Sequence, residues 1–284
     1  MRYEKTLALL LAALCLCGCG AAAAEPERAE AGTGEVFGVE LLSTGKSDCA
    51  LLRMDGLTIL SDAADRDDLP AILSLLKERG VEKLDYLVIS HFDKDHIGAA
   101  AGVLDNVAVG EIVSPDYKEN SEEYFALTRA AAEHGVTWTR LREERLIQTE
   151  NGSLLLDPPD LDYGEDNDNS LILVLTFMEQ RLVFLGDAEK QRMKEFRAYA
   201  EKTGLYDLPW VFVKLPHHGD SCKALLQVLR AARPAWAAET VSVFESVEEP
   251  LLAALSEIGT ELFLTREGGV RLRWDGENIT AAQE

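Results

Sequence analysis

The stretch VISHFDKDHIGAA, residues 88–100, decides how this chain is read. The β-rich apolar run DYLVIS (85–90) ends in it, and His91, Asp93, Asp95 and His96 then fall within six positions of a chain that has only 5 histidines. A strand end is a rigid mount, and a tight turn leaving it can aim several side chains at one point. Carboxylate oxygen and neutral imidazole are donors for Zn, Mn or Fe, and no thiolate stands among them, so a structural zinc site of the cysteine type is not expected. A plainer reading has these acids as solvated loop residues, with Asp95 starting a helix after Ile97; it leaves His91 and His96 without an explanation.

The same punctuation recurs. LTIL (57–60) is followed by Ser61 and Asp62, RLVFL (181–185) by Gly186 and Asp187, and WVFVKL (210–215) by Pro216, His217 and His218. The turn at 91–96 alone would give one crowded metal; Asp187 and the 217/218 pair supply the distant ligands that a two-metal site requires. Further apolar β-rich runs, among them VFGVELL, CALLRM, SLILVLTF, ELFLT and VRLRW, alternate with helical patterns at 68–80, 121–135, 188–204 and 249–259. Three of these patterns carry Pro or Ser near their starts, and all four end on glycine. Such an order predicts an α/β (α+β) fold in which helices cover sheets.

Composition sets further bounds. With 50 acidic against 28 basic residues, the net charge is −22, which argues against tight non-specific binding of nucleic acid. The basic pieces RLREER (140–145) and RMKEFR (192–197) are interleaved with acids and read as solvated faces. His134, closing a helical pattern, reads as a partner of the helix dipole. The chain opens with Arg2 and Lys5 ahead of the apolar TLALLLAALCL (6–16), a targeting signal too short to span a bilayer comfortably. LCGC (16–19) resembles the lipobox of bacterial lipoproteins, with Cys19 as the acylated residue; the alternative is an ordinary secretory signal cut near AAAA (21–24). The expected organisation is a signal peptide over 1–18, a flexible tether over 19–35 and one folded domain over 36–284, exported and held on the outer face of the membrane by its lipid. Cys49 and Cys222 form one disulfide or remain as two free thiols.

Seven segments in order, GKSDCALL (45–52), TILSDAAD (58–65), LDYLVISHFDKDHIGA (84–99), NDNSLILVL (167–175), LVFLGDAE (182–189), VKLPHHGD (213–220) and LTREGGVRL (264–272), resemble the metallo-β-lactamase fold hydrolases, in particular the branch typified by the hydrolase domain of the competence protein ComEC. The resemblance implies an αββα sandwich of two mixed sheets with helices outside. It implies two divalent metal ions, Zn or Mn: His91 and Asp93 at the first, Asp95 and His96 at the second, Asp187 between them. One histidine of the 217/218 pair completes the second site, with His218 favoured and His217 poised at the substrate or behind the ligands. Asp62 would orient ligands from behind, Asn169 and Ser170 would stand behind the metals or at the substrate, and Asp95 would take the proton of the attacking water.

This chain departs from the wider family in having Asp93 for a histidine and only Asp168, Asn169 and Ser170 where a further histidine is usual. The first site is therefore oxygen-rich and short of a ligand, a change that the ComEC-like branch shares, and β-lactam hydrolysis is not expected. Glu249-Pro250 and Asp220 add negative charge on the substrate side. The reading is a lipid-anchored dinuclear metal-dependent hydrolase acting on phosphodiesters, with a small ester, lactone or phosphorylcholine group as the alternative substrate and a non-catalytic metal-binding scaffold as the third reading. Oligomeric state is left open.

Overall fold

A computed structural model describes residues 27–28 and 36–284; Cys19, the expected signal peptide and most of the expected tether lie outside the described residues. After the backbone pair Glu27–Arg28 (β1), the chain forms β2 (Phe37–Leu41), β3 (Ala50–Met54), β4 (Leu57–Ser61), β5 (Lys83–Val88), β6 (Ala108–Pro115) and β7 (Thr137–Leu141). It continues through β8 (Arg145–Gln148), β9 (Gly152–Asp157), β10 (Ile172–Phe177), β11 (Gln180–Phe184), β12 (Trp210–Lys214), β13 (Trp236–Glu239), β14 (Glu261–Leu264), β15 (Val270–Trp274) and β16 (Ile279–Gln283). One sheet has the order β16-β15-β2-β3-β4-β5-β6-β7, the other β1-β8-β9-β10-β11-β12-β13-β14.

The two sheets pack face to face. Phe37, Val39, Leu52 and Ile59 from one meet Leu154, Leu173, Leu175 and Phe177 from the other, with the Phe37 and Phe177 rings stacked at 4.6 Å. Each such side chain contributes about 1.5–3 kcal/mol by leaving water. The outer faces are covered by helices. Helices α1 (Leu69–Glu78), α2 (Lys94–Ile97), α3 (Ala100–Asn106) and α4 (Glu122–His134) follow one another on the first sheet, where Ile72, Leu76, Val103 and Leu127 are buried. Helices α5 (Lys190–Thr203), α6 (Lys223–Ala232) and α7 (Glu249–Ile258) cover the second through Phe196, Leu225, Val228 and Leu255. The layering is αββα, as expected.

Local signals explain most boundaries. Ser121 Oγ accepts from Tyr124 N at the start of α4, and Gly135, in the left-handed region, ends it. Strands β4 to β7 run parallel, as do β11 to β14, so the carboxyl ends of each set share one edge of the sandwich. The two edges face each other, and the residues singled out by the sequence sit there.

Several details differ from expectation. The helical turn after the histidine motif starts at Lys94, with Asp93 as its cap, rather than after Ile97. Helix α6 and strands β7, β8, β13 and β16 were not expected; β13, for one, is the four residues WAAE, with little β signature. RMKEFR is not a solvated face, because Arg192 is wholly buried and bonds the Asp157 carboxylate at 2.7 Å and the Ser170 carbonyl at 2.9 Å. Cys49 and Cys222 are free thiols.

Candidate metal centre

Strand β5 delivers Ser90 and His91, and the turn that follows brings Asp93, Asp95 and His96. The turn after β4 carries Asp62, the turn after β11 carries Asp187, and the turn after β12 carries His217 and His218. Gly186 is required where β11 meets the opposite sheet: its φ is +56°, and a Cβ there would come within 2.9 Å of Ser90 Cβ.

Three buried imidazoles point Nε2 into the gap between the sheets. His91, His96 and His218 each have an Nε2 with no hydrogen-bond partner. Their Nδ1 atoms are all engaged. His96 Nδ1 donates to Asp62 Oδ2 at 3.0 Å, and His218 Nδ1 donates to the Thr240 carbonyl at 2.9 Å. His91 Nδ1 lies 3.0 Å from Ser90 Oγ, whose own proton goes to Asp62 Oδ2 at 2.8 Å. The proton of each neutral ring is thereby held on Nδ1, which leaves an Nε2 lone pair directed at the gap, the arrangement that metal-binding histidines adopt.

Carboxylates fill the spaces between those lone pairs. Asp187 Oδ2 lies 3.3 Å from His96 Nε2 and 3.1 Å from His218 Nε2. Asp95 Oδ2 is 3.5 Å from His218 Nε2, and Asp93 Oδ2 is 3.6 Å from His91 Nε2. Two donor sets result, His91/His96/Asp187 and Asp95/His96/His218, each with ligand atoms within 4.8 Å of one another.

Charge balance points the same way. Without a metal, burial would lower the pKa of His96, but Asp187, Asp48 and Asp62 outweigh it and raise it well above the ordinary value. For His218, burial is likewise overridden by Asp187 and Asp95, which push it up to about 9. A cluster that must bind protons to offset its carboxylates offers a divalent cation the same place. The donor set, its tautomers and its surplus negative charge fit two divalent ions.

The other predicted residues are placed as follows. His217 is turned out of the gap: its Nδ1 lies 3.2 Å from Glu189 Oε1 and 3.3 Å from Asp220 Oδ2, and only its backbone N–H serves the centre, donating to Asp187 Oδ1 at 3.3 Å. Ser170 Oγ accepts from Asp187 N at 3.1 Å. Asn169 is not brought into the centre, since its amide bonds Tyr163 N and Asp162 in the preceding loop. Asp168 accepts from Gln191 N and Arg192 N at the start of α5.

Sequence reasoning missed the floor of the site. Lys214, buried at the end of β12, pairs with Asp48, lies 3.7 Å from Asp187 Oδ1 and donates to the Gly186 carbonyl at 3.3 Å. Its ammonium is raised above the ordinary lysine value, because Asp48 and Asp187 more than offset the cost of burial. Lys214 and the His217 N–H both face Asp187 Oδ1, and Oδ2 faces the imidazoles. Thr240 Oγ1 donates to Asp48, which joins the β13 end to the same network.

Residues 42–235 match the family model of the metallo-beta-lactamase superfamily, and the chain belongs to that superfamily. Among curated proteins it is 27% identical over 125 residues to ComE operon protein 3 of Bacillus subtilis, covering 44% of this chain and 16% of that protein. It is 25% identical over 201 residues to Recombination protein 2 of Haemophilus influenzae, covering 69% of this chain and 23% of that protein. The matches therefore span under a quarter of the length of these relatives. The solved metallo-beta-lactamase fold protein YhfI of Bacillus subtilis shares the fold, with a TM-score of 0.54 at 9% identity over 86% of this chain and all of that one.

Proposed function

We propose that this chain hydrolyses phosphodiesters at a dinuclear metal centre and works outside the cell on a lipid anchor at Cys19. The observation that carries the hydrolytic part is the convergence of three partnerless Nε2 atoms with Asp95 and Asp187. His91, Asp93 and Asp187 would hold one ion, and Asp95, His96, His218 and Asp187 the other. Such a pair supplies the positive charge that acidifies water and neutralises charge building on a phosphoryl group. Asp187 would be shared by both ions, and Lys214 and the His217 backbone N–H orient its carboxylate. In the reaction a water oxygen bonds to phosphorus, its proton passes to the Asp95 carboxylate, the opposite P–O bond breaks, and an alcohol and a phosphomonoester leave. The similarity to ComEC-type proteins supports this substrate class, and the lipobox-like LCGC supports the anchor.

Turnover of bis(p-nitrophenyl) phosphate with Mn²⁺ or Zn²⁺, abolished in Asp95→Asn, is the expected result. Activity confined to carboxylic esters would contradict it. That outcome belongs to the second reading in its small-ester or lactone form; the carboxylates Glu189 and Asp220 beside His217 favour its other form, a phosphodiester carrying a cationic choline head.

A further inference from the structure

The loop after β13, residues 240–248, is tied at both ends to the turn that carries His218. At one end the Thr240 carbonyl holds His218 Nδ1 at 2.9 Å. At the other, Glu248 N donates to Gly219 O at 2.9 Å, and the Glu248 carboxylate accepts from Ser221 N at 2.9 Å. Gly219, with φ +100°, permits this contact, since a Cβ there would meet Val247 Cα at 2.9 Å. Within the loop Ser242 N donates to Glu245 Oε2 at 3.0 Å, and Arg266 bonds the Glu245 carbonyl at 2.7 Å. The loop is therefore braced. Yet its apex holds Val243 and Phe244 in water, 71% and 95% exposed.

A lone exposed apolar residue needs no explanation. An adjacent pair on a braced loop whose base holds a site imidazole does. On the same side, Lys46 Nζ lies 3.6 Å from Asp95 Oδ2, and its side chain stays 48% exposed. Glu245 also belongs to this group: its partial burial raises its carboxyl, but hydrogen bonds from Ser242 and the charge of Lys46 bring it below the ordinary value. The rest of the rim is acidic, with Asp93, Glu189 and Asp220 substantially exposed. Such a rim repels a polyanion, whereas one phosphoryl charge can be met by Lys46 and the centre itself.

We propose that Phe244 and Lys46 form the recognition site for a compact phosphodiester bearing a nucleobase, with Phe244 stacking on the base and Lys46 meeting a non-bridging phosphoryl oxygen. This rests on the phosphodiesterase reading above. It makes a dinucleotide or cyclic nucleotide the substrate rather than a nucleic-acid polymer.

The test compares two probes with one leaving group, thymidine 5′-(p-nitrophenyl phosphate) and methyl p-nitrophenyl phosphate, on the Mn²⁺-loaded protein. Wild type should show a KM about tenfold lower for the thymidyl probe, the scale of one base–aromatic stack. Phe244→Ala should erase most of that difference with kcat nearly unchanged, and Phe244→Trp should restore it. Lys46→Met should raise KM for both probes by a similar factor, and Lys46→Arg should recover it. An unchanged KM ratio in Phe244→Ala, faster turnover of single-stranded DNA than of a dinucleotide, or preference for p-nitrophenyl phosphorylcholine would overturn the proposal. If no phosphodiester is turned over, the activity reading falls. In that case calorimetric binding of thymidine 5′-monophosphate that disappears in Phe244→Ala would still support the recognition site, and no binding would overturn it too.

Discussion

The two halves of the centre are built to different standards. On the His218 side, His96 and His218 are each clamped through Nδ1 by a buried carboxylate or carbonyl, and Asp95 and Asp187 both lie within 3.5 Å of His218 Nε2. On the His91 side, the imidazole is held by a serine hydroxyl, Asp93 is about half exposed, and of the residues at 168–170 Asp168 caps a helix, Asn169 braces a loop and Ser170 holds the Asp187 backbone, so that none adds a donor. Clamped ligands bind with little further ordering, and exposed ones must be ordered by the ion itself. The His218 side should therefore fill first and hold its metal more tightly, while the His91 side, rich in oxygen, should favour a harder ion such as Mn²⁺.

The largest effect should come from the residue that the halves share. Asp187→Ala should abolish the tight equivalent, leave no measurable second one, and cut turnover by at least on the order of a thousandfold; elemental analysis and a phosphodiester assay read both. The asymmetry itself is tested by a pair of variants. His218→Ala should remove the tight equivalent, whereas His91→Ala should keep it and lose only the weak one, as calorimetric titration would show. Equal losses would erase the distinction.

The smallest effect is expected far from the centre. Glu40 is buried among Arg79, Arg53 and Arg271. Burial raises its carboxyl, but the hydrogen bond from Arg79 and the three guanidinium charges prevail and lower it below its ordinary value of 4.5. A depressed folded pKa gives stability that is complete above the unfolded value and is lost as pH falls through the folded one. Glu40→Gln should therefore cost about 1–3 kcal/mol near neutral pH, less as pH falls below about 4.5, with metal content unchanged. Denaturant titration at pH 7 and pH 3 checks the sign.

How much of this could be read from the chain alone depends on where each contact comes from. HFDKDH, GD and PHH are legible because ligands cluster within a few residues of strand ends, where local pattern and chemistry coincide. Lys214 and Thr240 are not. Lys214 is one cation at the end of an apolar run, and only the fold sets it against Asp48. Thr240 and Asp48 are separated by 192 positions and meet because two parallel strand sets share an edge. The geometry of the 217/218 pair is hidden for the same reason: the backbone is left-handed at both positions, with φ of 50° and 54°, and His218 faces the gap while the His217 ring turns out of it.

The most direct test of the two-metal centre is a calorimetric titration of the metal-free protein with Mn²⁺ and, separately, Zn²⁺, cross-checked by elemental analysis. Two equivalents of unequal affinity are expected, the tighter one absent in His218→Ala. One equivalent or none in the wild type, or two that survive in His218→Ala, would contradict a two-metal centre built on these residues.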